Sequence, residues 1–128
     1  MHIEEYVAKM EKLFLNELEI IQKESKFIGE VRGKGMMFGV EYVKNKNTKE
    51  PFPKLAKETR KLCYRNGLLV EIGGYYDNVV RFLPPLIISE KIARNGLNIF
   101  RKVNNIVGEL SITQTSQKLK NKVKSHAQ

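Results

Sequence analysis

At Ile28 the apolar rhythm of this chain changes period. Before it, Ile3, Tyr6, Val7, Met10, Leu13, Phe14, Leu18 and Ile21 recur at i, i+3, i+4 and i+7, the spacing of one helical face. After it, Met36, Phe38, Val40 and Tyr42 alternate with Met37, Gly39 and Glu41, and Ile28 to Arg32 alternates more weakly ahead of Gly33-Lys34-Gly35. The first rhythm buries one stripe of a helix and the second buries one face of a strand, so no segment satisfies both. The chain must open with a long amphipathic helix and continue into two adjacent strands, antiparallel across their glycine turn.

The remaining punctuation extends this order. Lys44 to Glu50 has nothing to bury and is a surface loop. Pro51 and Pro53 set up a second helix with Leu55, Ala56, Thr59, Leu62 and Cys63 inward, and Asn66-Gly67 supplies its left-handed stop. Leu68 to Ile72 and Asn78 to Leu83 are short branched runs around Gly73-Gly74-Tyr75-Tyr76-Asp77, which predicts two more strands. Pro84-Pro85 ends the second of these, and Ser89 caps a last helix whose stripe runs from Ile92 to Leu110. The expected class is α+β, a small and mostly antiparallel sheet with helices covering one face. Residues 1–110 form its one domain. Residues 111–128 carry four lysines and no acid among few large apolar residues, and are expected to be a disordered basic tail.

Charge and cysteine narrow the function classes. One cysteine, Cys63, rules out an internal disulfide framework or a multi-cysteine zinc site, and the two histidines, His2 and His126, stand at opposite ends. No apolar run reaches the roughly 20 residues of a membrane span, and no basic-then-apolar leader is present, so a cytoplasmic location is expected. A net charge of +9 invites a nucleic-acid reading, yet nearly half of the excess sits in the tail. Lys34 to Tyr42 misses the RNP1 stacking pattern, because Met36 and Met37 occupy positions that require other residue types. Gly33, Gly35 and Gly39 are one residue too long for a dinucleotide fingerprint and lie between strands, with no helix N-terminus to hold a pyrophosphate. These mismatches argue against both.

Arg81 is the residue that asks for an explanation. It interrupts the apolar run Val79-Val80-Arg81-Phe82-Leu83, and an unpaired guanidinium cannot be buried there at tolerable cost. Two readings stay open. Arg81 either pairs with Glu41 or Glu71, also in strands, or projects into a polar cleft where its planar fork captures a carboxylate. The preceding loop, with Gly73, Gly74 and Asn78, can border such a cleft or can be a plain hairpin connection.

Two long segments then carry a resemblance. Ile28-Gly29-Glu30-Val31-Arg32-Gly33-Lys34-Gly35-Met36-Met37-Phe38-Gly39-Val40-Glu41-Tyr42, followed by Asn78-Val79-Val80-Arg81-Phe82-Leu83-Pro84-Pro85-Leu86-Ile87-Ile88-Ser89, is similar to the C-terminal small domain of class III aminotransferases, pyridoxal-phosphate enzymes of the 4-aminobutyrate and diaminobutyrate type. The likeness extends from about residue 5 to residue 108 and implies the small domain of fold type I pyridoxal-phosphate transferases. It implies that Arg81 binds a carboxylate of the amino-acid or 2-oxo-acid substrate, that Gly73, Gly74 and Asn78 border the active site, and that Arg32, Gly33 and Gly35 form a structural turn.

The family's Schiff-base lysine, phosphate-binding residues and pyridinium-pairing acid belong to a large domain that has no counterpart here, and the start of the last helix is more basic than the family's. The resemblance therefore implies a piece of an aminotransferase, inactive alone, that binds no pyridoxal phosphate by itself. Its partners would be an aminotransferase large domain or a second subunit, and apolar surface on the first helix, at Leu13, Phe14 and Leu18, would favour a homo-oligomer. The competing expectation is a free-standing interaction or small-anion-binding module of the same fold.

Overall fold

The computed structural model describes residues 2–126. Helix α1 (Ile3–Glu24) leads into β1 (Ile28–Lys34) and β2 (Met37–Tyr42); α2 (Pro53–Arg65), β3 (Glu71–Gly73), β4 (Val79–Phe82) and α3 (Glu90–His126) follow. The strands form one sheet in the order β1-β2-β4-β3, and each neighbouring pair is antiparallel. Gly35, with φ of +62°, makes the β1–β2 turn in the left-handed region that a side chain would disfavour.

Strand alternation divides the sheet into two unlike faces. Val31, Phe38, Val40, Tyr42, Val80 and Phe82 share the face on which the helices lie, and register sets Val40 beside Val80 and Phe38 beside Phe82. Phe14 of α1 stacks on Phe38 with centroids 4.6 Å apart, and Phe100 of α3 meets Phe82 edge-on at 4.7 Å. Burying side chains of this size stabilises by about 1.5–3 kcal/mol each, so these pairs fix how α1 and α3 lie across the sheet. Among the core's polar groups, the Tyr42 hydroxyl donates to Asn104 Oδ1, and Asn104 Nδ2 donates to the Phe100 carbonyl at 2.7 Å. The Thr59 hydroxyl donates to the Leu55 carbonyl at 2.8 Å.

Three expectations are corrected. Phe14 and Leu18 are buried in the chain's own core and Leu13 packs partly buried against it, so these three are already covered within the chain. β3 starts at Glu71, because the Leu68 amide is spent on the Cys63 carbonyl, 2.8 Å away, closing the end of α2 over Gly67. Residues 111–126, expected to be disordered, continue α3 as helix. From Glu109 onward no Gly or Pro interrupts, lysine and glutamine are good helix formers, and the Thr113 hydroxyl donates back to the Glu109 carbonyl at 3.0 Å. Ala127 and Gln128, the end of that expected tail, lie outside the described residues.

Candidate functional site

The sheet face turned away from the helices carries the charged side chains. Its central row is Arg32 on β1, Gly39 on β2, Arg81 on β4 and Glu71 on β3, each directly opposite the next. To one side lies the row Glu30, Glu41, Val79, Gly73. Two glutamates directly opposite each other repel. Arg32 resolves that repulsion: its Nη1 stands 3.0 Å from Glu30 and 3.2 Å from Glu41. Arg32, read from the sequence as part of a turn, is thus a bridge between β1 and β2 strand carboxylates.

Glu41 being engaged by Arg32, Arg81 is left without it. Glu71 is Arg81's direct neighbour on β3, yet no ion pair joins them among the described residues. The guanidinium instead turns along the strand and lies over Gly73, in the space that a Cβ at that position would take. Gly39 on the other side also lacks a side chain, so Arg81 stands between two low points of the sheet surface and is solvent-exposed. An unpaired, exposed guanidinium on a rigid strand can bind a carboxylate through two parallel N–H donors.

The loop from Gly73 to Asn78 is tied down at one end. Asn78 is buried, its Nδ2 donates to the Tyr42 carbonyl at 3.0 Å, and its own carbonyl accepts from the Tyr42 amide at 2.8 Å. Its side chain is thereby committed to β2 and is not presented to a ligand. Gly74 and Asp77 adopt positive φ, +86° and +54°, so the chain reverses sharply between them, and a Cβ at Gly74 would press on Val79 at 2.7 Å. Tyr75 and Tyr76 meet edge-on at 4.8 Å on the exposed tip. Of the residues singled out in the sequence, Gly73 and Arg81 are in contact, Gly74 shapes the turn beside them, and Asn78 anchors it from below.

Two buried groups with displaced ionisation are elsewhere. Burial pushes the Cys63 thiol up to about 12 and drives the Tyr42 phenol above its ordinary range, and both lie in the core among Thr59 and Asn104. A cleft of about 820 Å³ between the start of α2 and Val107 to Gln114 of α3 does not include Arg81. Among the described residues no group of three metal-ligating side chains is assembled. No helix of the described residues is long and apolar enough to cross a membrane.

Alternation also held a signal that the charged residues masked. Met37 is opposite Lys34; the β2–β4 register carried one residue past Phe38–Phe82 sets Leu83 level with Met37, and the β3–β4 register carried two residues past Glu71–Arg81 runs toward Leu69, which precedes β3. This apolar row borders the row of Arg81 on the same open face. The parity of positions 37, 39 and 41 and of 79, 81 and 83 would have revealed it.

Comparison with known proteins places this geometry. Residues 2–103 match the family model described as aminotransferase class-III. The chain is 35% identical over 95 residues to the 4-aminobutyrate aminotransferase of Mycobacterium leprae, covering 74% of this chain and 21% of that protein. It is 38% identical over 79 residues to the diaminobutyrate–2-oxoglutarate transaminase of Wolinella succinogenes, covering 62% and 16%. A solved Bacillus anthracis aminotransferase superposes with a TM-score of 0.75 at 29% identity, over 80% of this chain and 24% of that one. The chain spans about a fifth of the length of the curated relatives it matches.

Proposed function

This chain belongs to the class-III aminotransferase family, and we propose that it is the substrate-orienting small lobe of an aminotransferase whose reactive machinery resides on a larger piece of protein. The reading rests on one observation: Arg81 is exposed on the open sheet face, packed over Gly73, with no ion pair among the described residues. In this role Arg81 grips a carboxylate of an amino acid or 2-oxo acid and fixes the angle at which the rest of the substrate enters the cleft. Positioning of this kind acts on the rate by holding the reacting atoms in line, without making or breaking a bond. Arg32 keeps Glu30 and Glu41 neutralised, so that neither carboxylate competes for Arg81.

Pyridoxal phosphate supplies the electron sink of transamination when bound to a complete enzyme of this family. The residues here do not suit that cofactor. A Schiff-base lysine works when removed from bulk water, and every lysine whose side chain is described is exposed. The only aspartate, Asp77, sits in the exposed loop tip. Among the described residues none is therefore assigned to the chemical step, and in this reading the lobe is inactive alone.

The test is complementation. The full chain, co-expressed with a class III aminotransferase lacking the equivalent segment, is expected to restore amino transfer to a 2-oxo acid. Arg81→Ala in that complex should lower kcat/KM for the carboxylate substrate about 10- to 150-fold, the loss of about 1.5–3 kcal/mol expected for a charge-assisted pair. Turnover by the chain alone, or full activity in the Arg81→Ala complex, would refute the reading.

A further inference from the structure

Charge is segregated along this chain, and the fold gathers the excess on one side. Residues 44–65 hold eight Lys or Arg against two Glu, and residues 111–128 add four Lys and no acid, a sum of +10 against −1 for the rest of the chain. The two segments are neighbours: residues 107–114 of α3 line the 820 Å³ cleft together with the start of α2, and α3 then runs on through Lys118, Lys120, Lys122 and Lys124. Several cations elsewhere are matched, Lys9 and Arg94 by Glu90, Arg32 by Glu30 and Glu41, and Arg101 by Glu24. On α2 they are not. Lys54, Lys57, Arg60, Lys61 and Arg65 are exposed, and none has an ion pair among the described residues. Lys54, Lys57, Lys61 and Arg65 recur at i, i+3, i+7 and i+11, one helical stripe about 16 Å long. Tyr64, 72% exposed, stands one turn on from Arg60 and Lys61 in the same stripe.

We propose that the basic stripe of α2, the cleft at its start and the α3 extension form a binding surface for single-stranded nucleic acid. A line of unpaired cations on a rigid helix offers a phosphate backbone several contacts at once, each of which releases condensed counterions. Exposed aromatic rings beside such a line give bases a face to stack on, which a single strand can use and a closed duplex cannot. Tyr64 supplies one such ring. Phe52 and Tyr76, with Lys44 and Lys54 beside them, line the cleft where the stripe begins, and its volume admits an unstacked base. An acidic membrane surface fits less well, because a helix lying on lipid needs an apolar face to enter it, and Leu55, Ala56 and Cys63 of α2 are spent on the core. Neither the glycines of the β1–β2 turn nor the strand from Lys34 to Tyr42 takes part. Because α2 packs on the helix-covered face of the sheet, this surface is separate from Arg81.

The full chain is titrated into fluorescent oligo(dT) and oligo(U), and anisotropy is read at salt concentrations from about 50 to about 200 mM. Binding is expected to weaken about 50-fold over that range, as four phosphate contacts on a single strand require. Lys57→Gln with Lys61→Gln should flatten the slope of log affinity against log salt by roughly 1.4. Lys12→Gln with Lys23→Gln on α1, which removes the same net charge from exposed positions, should leave the slope unchanged, as should Arg81→Ala. Tyr64→Ala should weaken binding about fivefold or more, and Tyr64→Phe, which keeps the ring, should not. Absence of binding at the lowest salt overturns the proposal. So does an equal loss from the α1 variant, which reduces the effect to net charge, or a Tyr64→Ala chain that binds like the parent. Tighter binding to a duplex, or equal binding to poly-glutamate or to phosphatidylserine vesicles, gives the surface to another occupant and overturns it too. Each of these results leaves the function proposed for Arg81 standing.

Discussion

The guanidinium of Arg81 lies over the bare backbone of Gly73, so a strand charge that has no ion-pair partner among the described residues is positioned by the absence of a side chain on its neighbour. Gly73→Ala puts a methyl group into that space, and the arginine must swing away because the backbone cannot. The expected result is a raised KM for the carboxylate substrate in the complemented enzyme, with little change in the melting temperature of the chain. A crystal structure of the Gly73→Ala chain with Arg81 undisplaced would contradict this account.

Arg32 neutralises two glutamates that face each other across β1 and β2, at 3.0 Å and 3.2 Å. All three groups are at least partly exposed, so the bridge is worth little in isolation, about 0–1 kcal/mol. Arg32→Ala should therefore lower stability by about that amount at low salt and by less at high salt, where screening quiets the Glu30–Glu41 repulsion. Urea unfolding at two salt concentrations checks the sign: a salt-independent loss would mean that Arg32 acts through packing of its stem.

Tyr42 and Asn104 form a polar link inside the apolar core, between β2 and α3. Tyr42→Phe keeps the ring and leaves Asn104 Oδ1 without its donor, at a cost of about 1–3 kcal/mol. Equilibrium unfolding measures this directly. A Tyr42→Phe chain as stable as the parent would show that the amide finds another partner on repacking.

Burial raises the Cys63 thiol to about 12, and the unfolded chain ionises it from its ordinary value near 9.0. Above that value the unfolded state has lost a proton that the folded state keeps, so stability is full below about pH 9 and falls as pH rises toward 12. Tyr42, raised further by desolvation, adds to the same alkaline loss. Unfolding free energies at pH 8 and pH 10.5 should differ in this direction, and Cys63→Ala should flatten the slope. A thiol reagent that labels the native chain at pH 8 as fast as the unfolded one would remove the premise.

Much of this architecture is written in the spacing of apolar residues. The change from 3.6 to 2 at Ile28, the stop at Asn66-Gly67 and the Ser89 cap, whose oxygen accepts from the Ile92 amide at 3.2 Å, are local signals that local structure obeys. Arg81 stood out because a charge in an apolar strand has to face somewhere. Which way it faces was illegible, since it depends on Glu41 being taken by Arg32 from another strand and on the β3–β4 register setting Gly73 opposite Val79, diagonal to Arg81 and within reach of its guanidinium. Residues 111–126 misled for a related reason: a composition that buries nothing says little about whether the backbone coils, and an uninterrupted run of helix formers carries α3 onward.

Asn78 fixes the far end of the loop that reaches the Arg81 surface, donating to one backbone group of Tyr42 and accepting from another. The four residues before it, Gly74 to Asp77, hang from this clamp, and nothing in the core depends on Tyr75 or Tyr76. A lineage can thus retune what enters beside the arginine by exchanging two aromatic rings at the tip, and pay for the experiment with none of the stability stored between sheet and helices.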